Sequence, residues 1–395
     1  MRILVVHNRY SSRVPSGENL SVHDEVVWLR KAGVDVAVHE ASNDEVMEGG
    51  LTRRAQQAVW APWSVPASRG MTAALDETDP DIVHVHNLFP LLTGSVPWTA
   101  VRRGIPVVWT VRNQRADCVA GTHFREGKAC HECRPGHRLA GIRHGCYRDS
   151  VAASALLTGA TGLFRAMAKR RVTALAISEN LRDWLVDTNG FPADRVHVKY
   201  NGIPAPPLDQ PLVPAVESST YLFAAKLAPY KGVSLLLDAW ARADLPGATL
   251  RVVGDGPDAD EVRAAAKDDP RIEFLGHVPS GEMTRDYAEA RAVLVPSTWD
   301  EPFGRVAAEA LAHGRPVITS GLGGLHEVVG DEAGWITGTD PERLARALVE
   351  ADDDKAIRRR SRAATLRHRE LFGPDVTTQA LIDIYESSLR RRSRR

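Results

Sequence analysis

The feature that most constrains this chain is an alternation of short β-branched runs with amphipathic helical stretches, and it occurs twice. In the first half, residues 3–7, 34–39, 81–86, 106–111, 174–178 and 196–201 read as strands, and an amphipathic helix over 19–31 ends at Gly33. In the second half, 221–225, 249–253, 272–275, 293–295 and 317–319 read as strands. Helices are predicted there over 233–243, 259–266, 342–351, 354–371 and 376–389. Strands separated by helices pair through crossovers, so each half is expected to form a parallel sheet covered on both faces. Between the halves, residues 203–214 contain five prolines, which fix φ and remove backbone donors; the segment reads as a stiff connector. The expected fold class is therefore α/β, with two doubly wound Rossmann-like domains. The first spans 1–203 and carries an insertion over 113–150. A linker over 204–216 leads to the second domain, 217–375, and a terminal helix with a basic tail occupies 376–395. If the carboxyl-end loops of both sheets face one cleft, a nucleotide-containing ligand is its natural occupant.

Composition narrows the partners. At 395 residues the chain exceeds what one core usually serves, and 43% hydrophobic with 25% charged residues is globular usage. A formal net charge of zero gives no support for a nucleic-acid binder. The apolar run at the amino terminus is too short for a signal peptide and reads as a buried strand. No stretch of about 18 uninterrupted apolar residues exists, so no membrane span is expected. The apolar segment 151–167 carries Ser, Thr, two Gly and Arg165, and reads as a buried or surface-lying helix. The arginine-rich tail, 390–395, reads as a solvated end, with weak contact to an anionic membrane surface as the secondary reading. A cytoplasmic protein, peripheral at most, is expected.

Chemistry concentrates in the second half. Glu301 and Glu309 bracket a turn and the first helical turns behind it, in Glu301-Pro-Phe-Gly-Arg-Val-Ala-Ala-Glu309. The turn follows a strand-like run, and a helix after it stops at His313-Gly-Arg-Pro316. Glu301 thus lies in the loop at the carboxyl end of a parallel strand, where α/β sheets bind ligands, and the amides of Phe303, Gly304 and Arg305 open a helix, a ready anion site. Upstream, Lys226 and Lys231 sit five residues apart before Gly232, placed to clamp a diphosphate. Two solvated surface lysines are the bland alternative; Gly254-Asp-Gly-Pro257 and the glutamate run on neighbouring strand ends outweigh it.

With these residues in hand, the chain resembles the family 4 retaining glycosyltransferases of GT-B fold, the group that includes glycogen synthase and phosphatidylinositol mannosyltransferase. The resemblance runs from Val14-Pro-Ser-Gly-Glu-Asn19 to the terminal helices, which in that fold pack back toward the N-terminal domain. It implies that Glu301, with the amides of Phe303 and Gly304, holds donor-sugar hydroxyls, and that Glu309 holds the ribose. Lys226 and Lys231 would hold the diphosphate, with Lys where the family more often has Arg at the first position. Gly17 and Gly254 would admit the phosphates and donor, and His277 and Val278 would lie along the base. The implied donor is a UDP- or GDP-sugar and the implied acceptor a hydroxyl of a glycan, glycolipid or secondary metabolite. No cofactor is implied for catalysis, since fixed cations and amides would meet the charge on the leaving diphosphate. A catalytically silent sugar-nucleotide or glycan binder, and a nucleotide-sugar epimerase, are the alternatives.

One departure stands out. Two residues past Thr110 the family has a histidine near the donor sugar; this chain has Arg112. Arg112 would supply the same electrostatics with a permanent charge, favour a donor or acceptor bearing a carboxylate or phosphate, or mark lost activity. His84 and His86 alternate onto one face of their strand; His86 with Asn87 is the candidate for acceptor contact, and His84 reads as a satisfied core histidine. Cys118, Cys130, Cys133 and Cys146 fall in one 29-residue window of the insertion. Four thiolates at this density suit a tetrahedral structural zinc, and four reduced, unligated thiols are the alternative. The insertion resembles one found in a subset of the family, and its Arg115, His123, Arg125, Arg134, Arg138 and Arg143 are expected to shape the acceptor side.

Overall fold

The computed structural model describes residues 1–10, 16–44, 48, 50, 59–134, 137, 139–207, 209, 211–279 and 281–393. Val14 and Pro15 of the first glycine turn, Arg138 of the insertion, and Arg394 and Arg395 of the tail lie outside them. The chain divides into two compact units. The first comprises Met1–His123, Cys130–Gly202 and Thr377–Arg395; the second comprises Phe124–Ala129 and Ile203–Val376.

The first unit holds strands β1 (Arg2–Arg9), β2 (Asp35–Ser42), β3 (Ile82–Val85), β4 (Val107–Val111), β7 (Val172–Ala176) and β8 (Val196–Val198). A two-residue hairpin, β5 (Phe124–Arg125) with β6 (Lys128–Ala129), lies between β4 and β7 in sequence and belongs to the second unit. The sheet order is β2-β1-β3-β4-β7-β8, every pair parallel. The chain winds outward from β1 to β2, then reverses through β3, so a topological switch point lies between β1 and β3. The loops beyond them are stitched together: the Asn8 amide donates to the Asn87 carbonyl at 2.7 Å, and Asn87 Nδ2 donates to the Asn8 carbonyl at 2.8 Å.

Helix α1 (Gly17–Lys31) buries Val22, Val26 and Leu29 on this sheet, and Ser16 caps it by accepting from the Asn19 amide. Helix α2 (Val151–Arg171) buries Ser154, Leu157, Thr161, Phe164 and Ala168, a stripe of three- and four-residue steps. It is long and apolar enough, by length and composition only, to cross a membrane, at 21 residues and mean hydropathy 1.3. The core, Ile3, Val5, Ile82, Val108 and Leu175 among others, is completed by Leu381 and Tyr385.

The second unit holds β9 (Thr220–Ala224), β10 (Thr249–Val253), β11 (Ile272–Gly276), β12 (Ala292–Val295), β13 (Val317–Thr319) and β14 (Gly334–Ile336), again all parallel, in the order β11-β10-β9-β12-β13-β14. Its switch point lies between β9 and β12. Tyr221, Phe223, Leu236, Trp240, Leu294, Ile318 and Leu344 centre its core. Helix α3 (Arg305–Ala312) follows β12, and α4 (Pro374–Ser393) closes the chain.

Among the strands, β14 and the hairpin β5–β6 went unread in the sequence. β14 is three residues long and pairs closely because Gly334 has no side chain: a Cβ there would stand 2.0 Å from the Val317 carbonyl oxygen. The hairpin β5–β6 is too short to leave a period-two signal. The run 196–201 pairs only over Val196–Val198, and the predicted helix 354–371 ends at Arg367 before a wider turn over His368–Phe372.

Candidate active site

At the second unit's switch point, Glu301 follows β12 while Lys226 and Lys231 follow β9. Glu301 is buried, and its Oε1 accepts from Lys231 Nζ and, at 3.0 Å, from Ser297 Oγ. The Lys231 ammonium also lies 5.3 Å from the Trp299 ring centroid and 5.6 Å from that of Tyr230. The expected diphosphate clamp is thus not two equivalent lysines: Lys226 is exposed, while Lys231 is already paired with a carboxylate and ringed by aromatics. A tight backbone holds Glu301. It bridges to Gly323, where a Cβ would lie 2.4 Å from the Glu301 carbonyl oxygen, and that oxygen accepts from the Gly324 amide at 2.7 Å. The glycine loop 321–324 is a functional support that motif reading passed over; three glycines at a strand's carboxyl end were its signal.

Gly304 caps α3 with φ +95°, a left-handed conformation that leaves the first amides of the helix facing out of its amino terminus. Glu309, one turn on, is held from two sides: Arg305 Nε donates to Oε1 at 2.7 Å and the Tyr287 hydroxyl to Oε2 at 2.8 Å. Burial, then Glu309 itself, pushes the Tyr287 phenol well up, so it stays a donor. Glu309 accepts on both carboxylate oxygens and Glu301 twice on Oε1, an arrangement that suits positioning hydroxyls better than attacking carbon. Gly254 approaches the Ala225 carbonyl closely, and His277 is exposed after β11 beside half-buried Val278.

At the first unit's switch point the structure gathers a buried ionic cluster. Glu25, from the inner face of α1, accepts from Lys199 Nζ on Oε2, and Arg112 Nη2 lies 3.8 Å from the same oxygen. Arg112 Nη1 also donates to Asn201 Oδ1. Burial alone would raise the Glu25 carboxyl, but Lys199, His84 and Arg112 bring it down to about 2. His84 donates or accepts at both ring nitrogens, to the Tyr385 hydroxyl at 2.6 Å and Thr110 Oγ1 at 2.7 Å, and burial lowers it to about 4. It is the satisfied core histidine the sequence indicates. His86 differs: it is 1% exposed, burial and the surrounding cations lower it well below the usual range, and among the described residues neither ring nitrogen has a hydrogen-bond partner. Its Nε2 stands 3.4 Å from Glu25 Oε1. Glu25, His84 and His86 are also the one trio of metal-compatible groups among the described residues, but Lys199 and Arg112 already meet the carboxylate's charge, which disfavours a further cation. Asn87 serves the loop between β1 and β3 instead of facing outward. Gly17 begins α1.

Glu25, Lys199 and Asn201 escaped the sequence reading. For Glu25 a signal exists: it occupies the apolar stripe Val22, Val26, Leu29 of α1, where a charge needs a buried partner.

None of the four cysteines is in a disulfide. Burial first, then the neighbouring thiols, pushes Cys133 up to about 11. Among the described residues no three of them bring their sulfurs within 4.8 Å of one another, so the expected tetrahedral zinc site is not assembled.

Comparisons with known proteins match this layout. Residues 15–205 fit the model described as Glycosyltransferase Family 4, and residues 218–354 the model described as Glycosyl transferases group 1. A D-inositol 3-phosphate glycosyltransferase of Streptomyces avermitilis is 33% identical over 44% of this chain and 41% of its own, so the chain spans about two fifths of that relative's length. Glycogen synthase of Mycobacterium tuberculosis is 27% identical over 99% of this chain and 95% of its own. Among solved structures, HepE of Anabaena in complex with UDP-glucose superposes with a TM-score of 0.65 at 18% identity, over 98% of this chain and all of that one. With one family model on each parallel sheet and a shared architecture across the full length, the chain belongs to the group 1, family 4 glycosyltransferases of GT-B fold.

Proposed function

We propose that this protein transfers a hexosyl group from a nucleoside-diphosphate sugar to an acceptor hydroxyl with retention of anomeric configuration. The supporting observation is the Lys231–Glu301–Ser297 cluster beside the amino terminus of α3, at the switch point of the second sheet. In the step, the bond from the anomeric carbon to the β-phosphate oxygen breaks, and a bond from that carbon to the acceptor oxygen forms on the same face. The acceptor's proton passes to the departing phosphate. Lys231, Lys226 and the α3 amides stabilise the negative charge gained by the diphosphate, so the chain's own groups supply the positive field. Glu301 orients donor-sugar hydroxyls, and Glu309, fixed by Arg305 and Tyr287, receives the ribose. HepE was solved with UDP-glucose, which supports a UDP-sugar as the first donor to try. The acceptor is a hydroxyl of a glycan, glycolipid or small molecule, bound by the first unit.

A thermal-shift screen of nucleoside diphosphates and their sugars tests the donor site. Ligand at about 100 times its dissociation constant adds about 2.7 kcal/mol. Absence of a shift with every nucleotide removes the reading. The catalytically silent alternative draws on Arg112, which the buried cluster holds in place; product formed from any donor eliminates it.

The four thiols are proposed to hold a structural zinc, whose binding would have to draw their sulfurs together. The support is their confinement to one insertion and the influence of the other three on Cys133. Clearly substoichiometric zinc in purified protein, with all thiols titrating, refutes this.

A further inference from the structure

The first unit contains a pocket at the carboxyl end of β3 and β4, lined by His86, Phe89, Trp109, Arg112, Arg115 and Phe164, with Arg165 and Glu18 also on its wall. Its lining combines two chemistries. One is aromatic: the Trp109 and Phe164 rings meet edge to face at 4.8 Å, and Phe89 meets Phe164 at 6.4 Å. The other is cationic. Three guanidinium groups line it against one carboxylate, Glu18, which is itself hydrogen-bonded to Tyr10. Behind the wall, Glu25 serves both Lys199 and Arg112, so it cannot neutralise the two together. Arg165 donates to Asn189 Oδ1 at 3.2 Å and has Asp117 nearby.

Arg115 is held for use. Its stem packs on Gly121, where a Cβ would stand 2.8 Å from Arg115 Cγ, and Gly121 has φ +78°. Its backbone amide is fixed by Asn113 Oδ1 at 3.1 Å. Yet among the described residues its buried Nε has no hydrogen-bond partner. His86, almost wholly buried in the same wall, has no hydrogen-bond partner at either ring nitrogen among the described residues. A buried donor left unmade is destabilising, so two such groups on one pocket call for a ligand that accepts.

We propose that this pocket takes an acceptor with a flat apolar body and a carboxylate or phosphate group. The anion is received by Arg115 with Arg112 beside it, the body lies on Trp109 and Phe164, and neutral His86 hydrogen-bonds the acceptor hydroxyl. Glu25 acts through others, as a positioning residue that anchors Arg112. The assignment to an acceptor rests on the transferase reading above, but the pocket's preference for anions does not.

The test is calorimetric titration of the full chain, without nucleotide, using 4-hydroxybenzoate, 4-hydroxyphenyl phosphate and the neutral 4-hydroxybenzamide. The anionic probes are expected to bind wild-type protein at least ~10-fold more tightly than the amide, a difference of about 1.4 kcal/mol. Arg115→Met should erase that preference while leaving amide binding and the UDP-induced thermal shift unchanged, and Arg115→Lys should restore part of it. Equal binding of all three probes, binding of none by a folded protein, or a preference that survives Arg115→Met overturns the proposal. A loss confined to UDP-glucuronate relative to UDP-glucose also overturns it, since the anion would then belong to the donor. Loss of every nucleotide shift, with the anion preference intact, sinks the donor reading and leaves this one standing.

Discussion

The two switch points of this molecule solve the same problem in opposite ways. In the second unit, the charged groups of the candidate donor site come from two stretches, 226–232 and 297–309, and Lys231 keeps partial access to solvent. In the first unit, the cluster draws on α1, the ends of β3 and β4, the segment after β8, and the last helix, and nearly every side chain in it is buried. Charge near solvent is cheap to place and can exchange partners with a ligand. Charge inside a fold must be matched by other charge, and such matching makes it structural as well as functional.

That contrast can be broken experimentally, and the largest effect is expected in the first unit. Glu25→Gln leaves Lys199 charged and buried, and should cost about 3–5 kcal/mol in a urea titration. Adding Lys199→Met should recover much of the loss; if the single substitution costs under about 1 kcal/mol, the cluster is not the buried network described. Next comes acid. His84 is depressed to about 4, so the unfolded chain takes up its proton first. Its stability contribution is complete above pH 6.5 and is lost as pH falls toward 4, about 3 kcal/mol in all and about 2 kcal/mol by pH 5. Glu25, depressed to about 2, adds a loss of the same sign below its usual range. Hydrogen exchange at pH 7 and pH 5 should show protection falling in β1, β3 and β4 before β9 and β12; a uniform loss would erase the distinction between the units.

In the second unit, Glu301→Gln should lower turnover at least ~10-fold, about 1.4 kcal/mol of transition-state stabilisation, with little change in unfolding midpoint. An unchanged rate constant removes Glu301 from its role. The smallest effect belongs to surface charge: Arg242→Ala breaks an i,i+4 pair with Asp238 at 2.8 Å, half exposed on both sides, and should leave the urea midpoint nearly unchanged.

Much of the second unit was legible because its information is local. The strand runs 249–253 and 317–319 coincide with β10 and β13, and Glu301, Gly304 and Glu309 fall on the predicted loop and helix. What local reading left out was partnership: Lys231, matched there to a phosphate, also donates to Glu301, 70 residues away. In the first unit, His84 and His86 were rightly placed on one face and His84 in the core, yet the cluster around them stayed hidden. Asn201 belonged to a strand reading that stops at Val198, and Tyr385 lies 301 residues from His84. The insertion is the least legible part. Its four thiols have a clear count and spacing, but spacing does not fix the distances between sulfurs that a metal requires.

By itself the sequence determined the two parallel α/β sheets, because the period of apolar residues and the crossover between strands leave few other topologies. It also determined the chemistry available at the second sheet's edge, because glycine turns and helix starts are set by neighbouring residues. Only the tertiary structure decided which charges are buried together. Glu25, Arg112 and Lys199 lie on separate elements, and burial makes each depend on the others, a condition that no local pattern encodes.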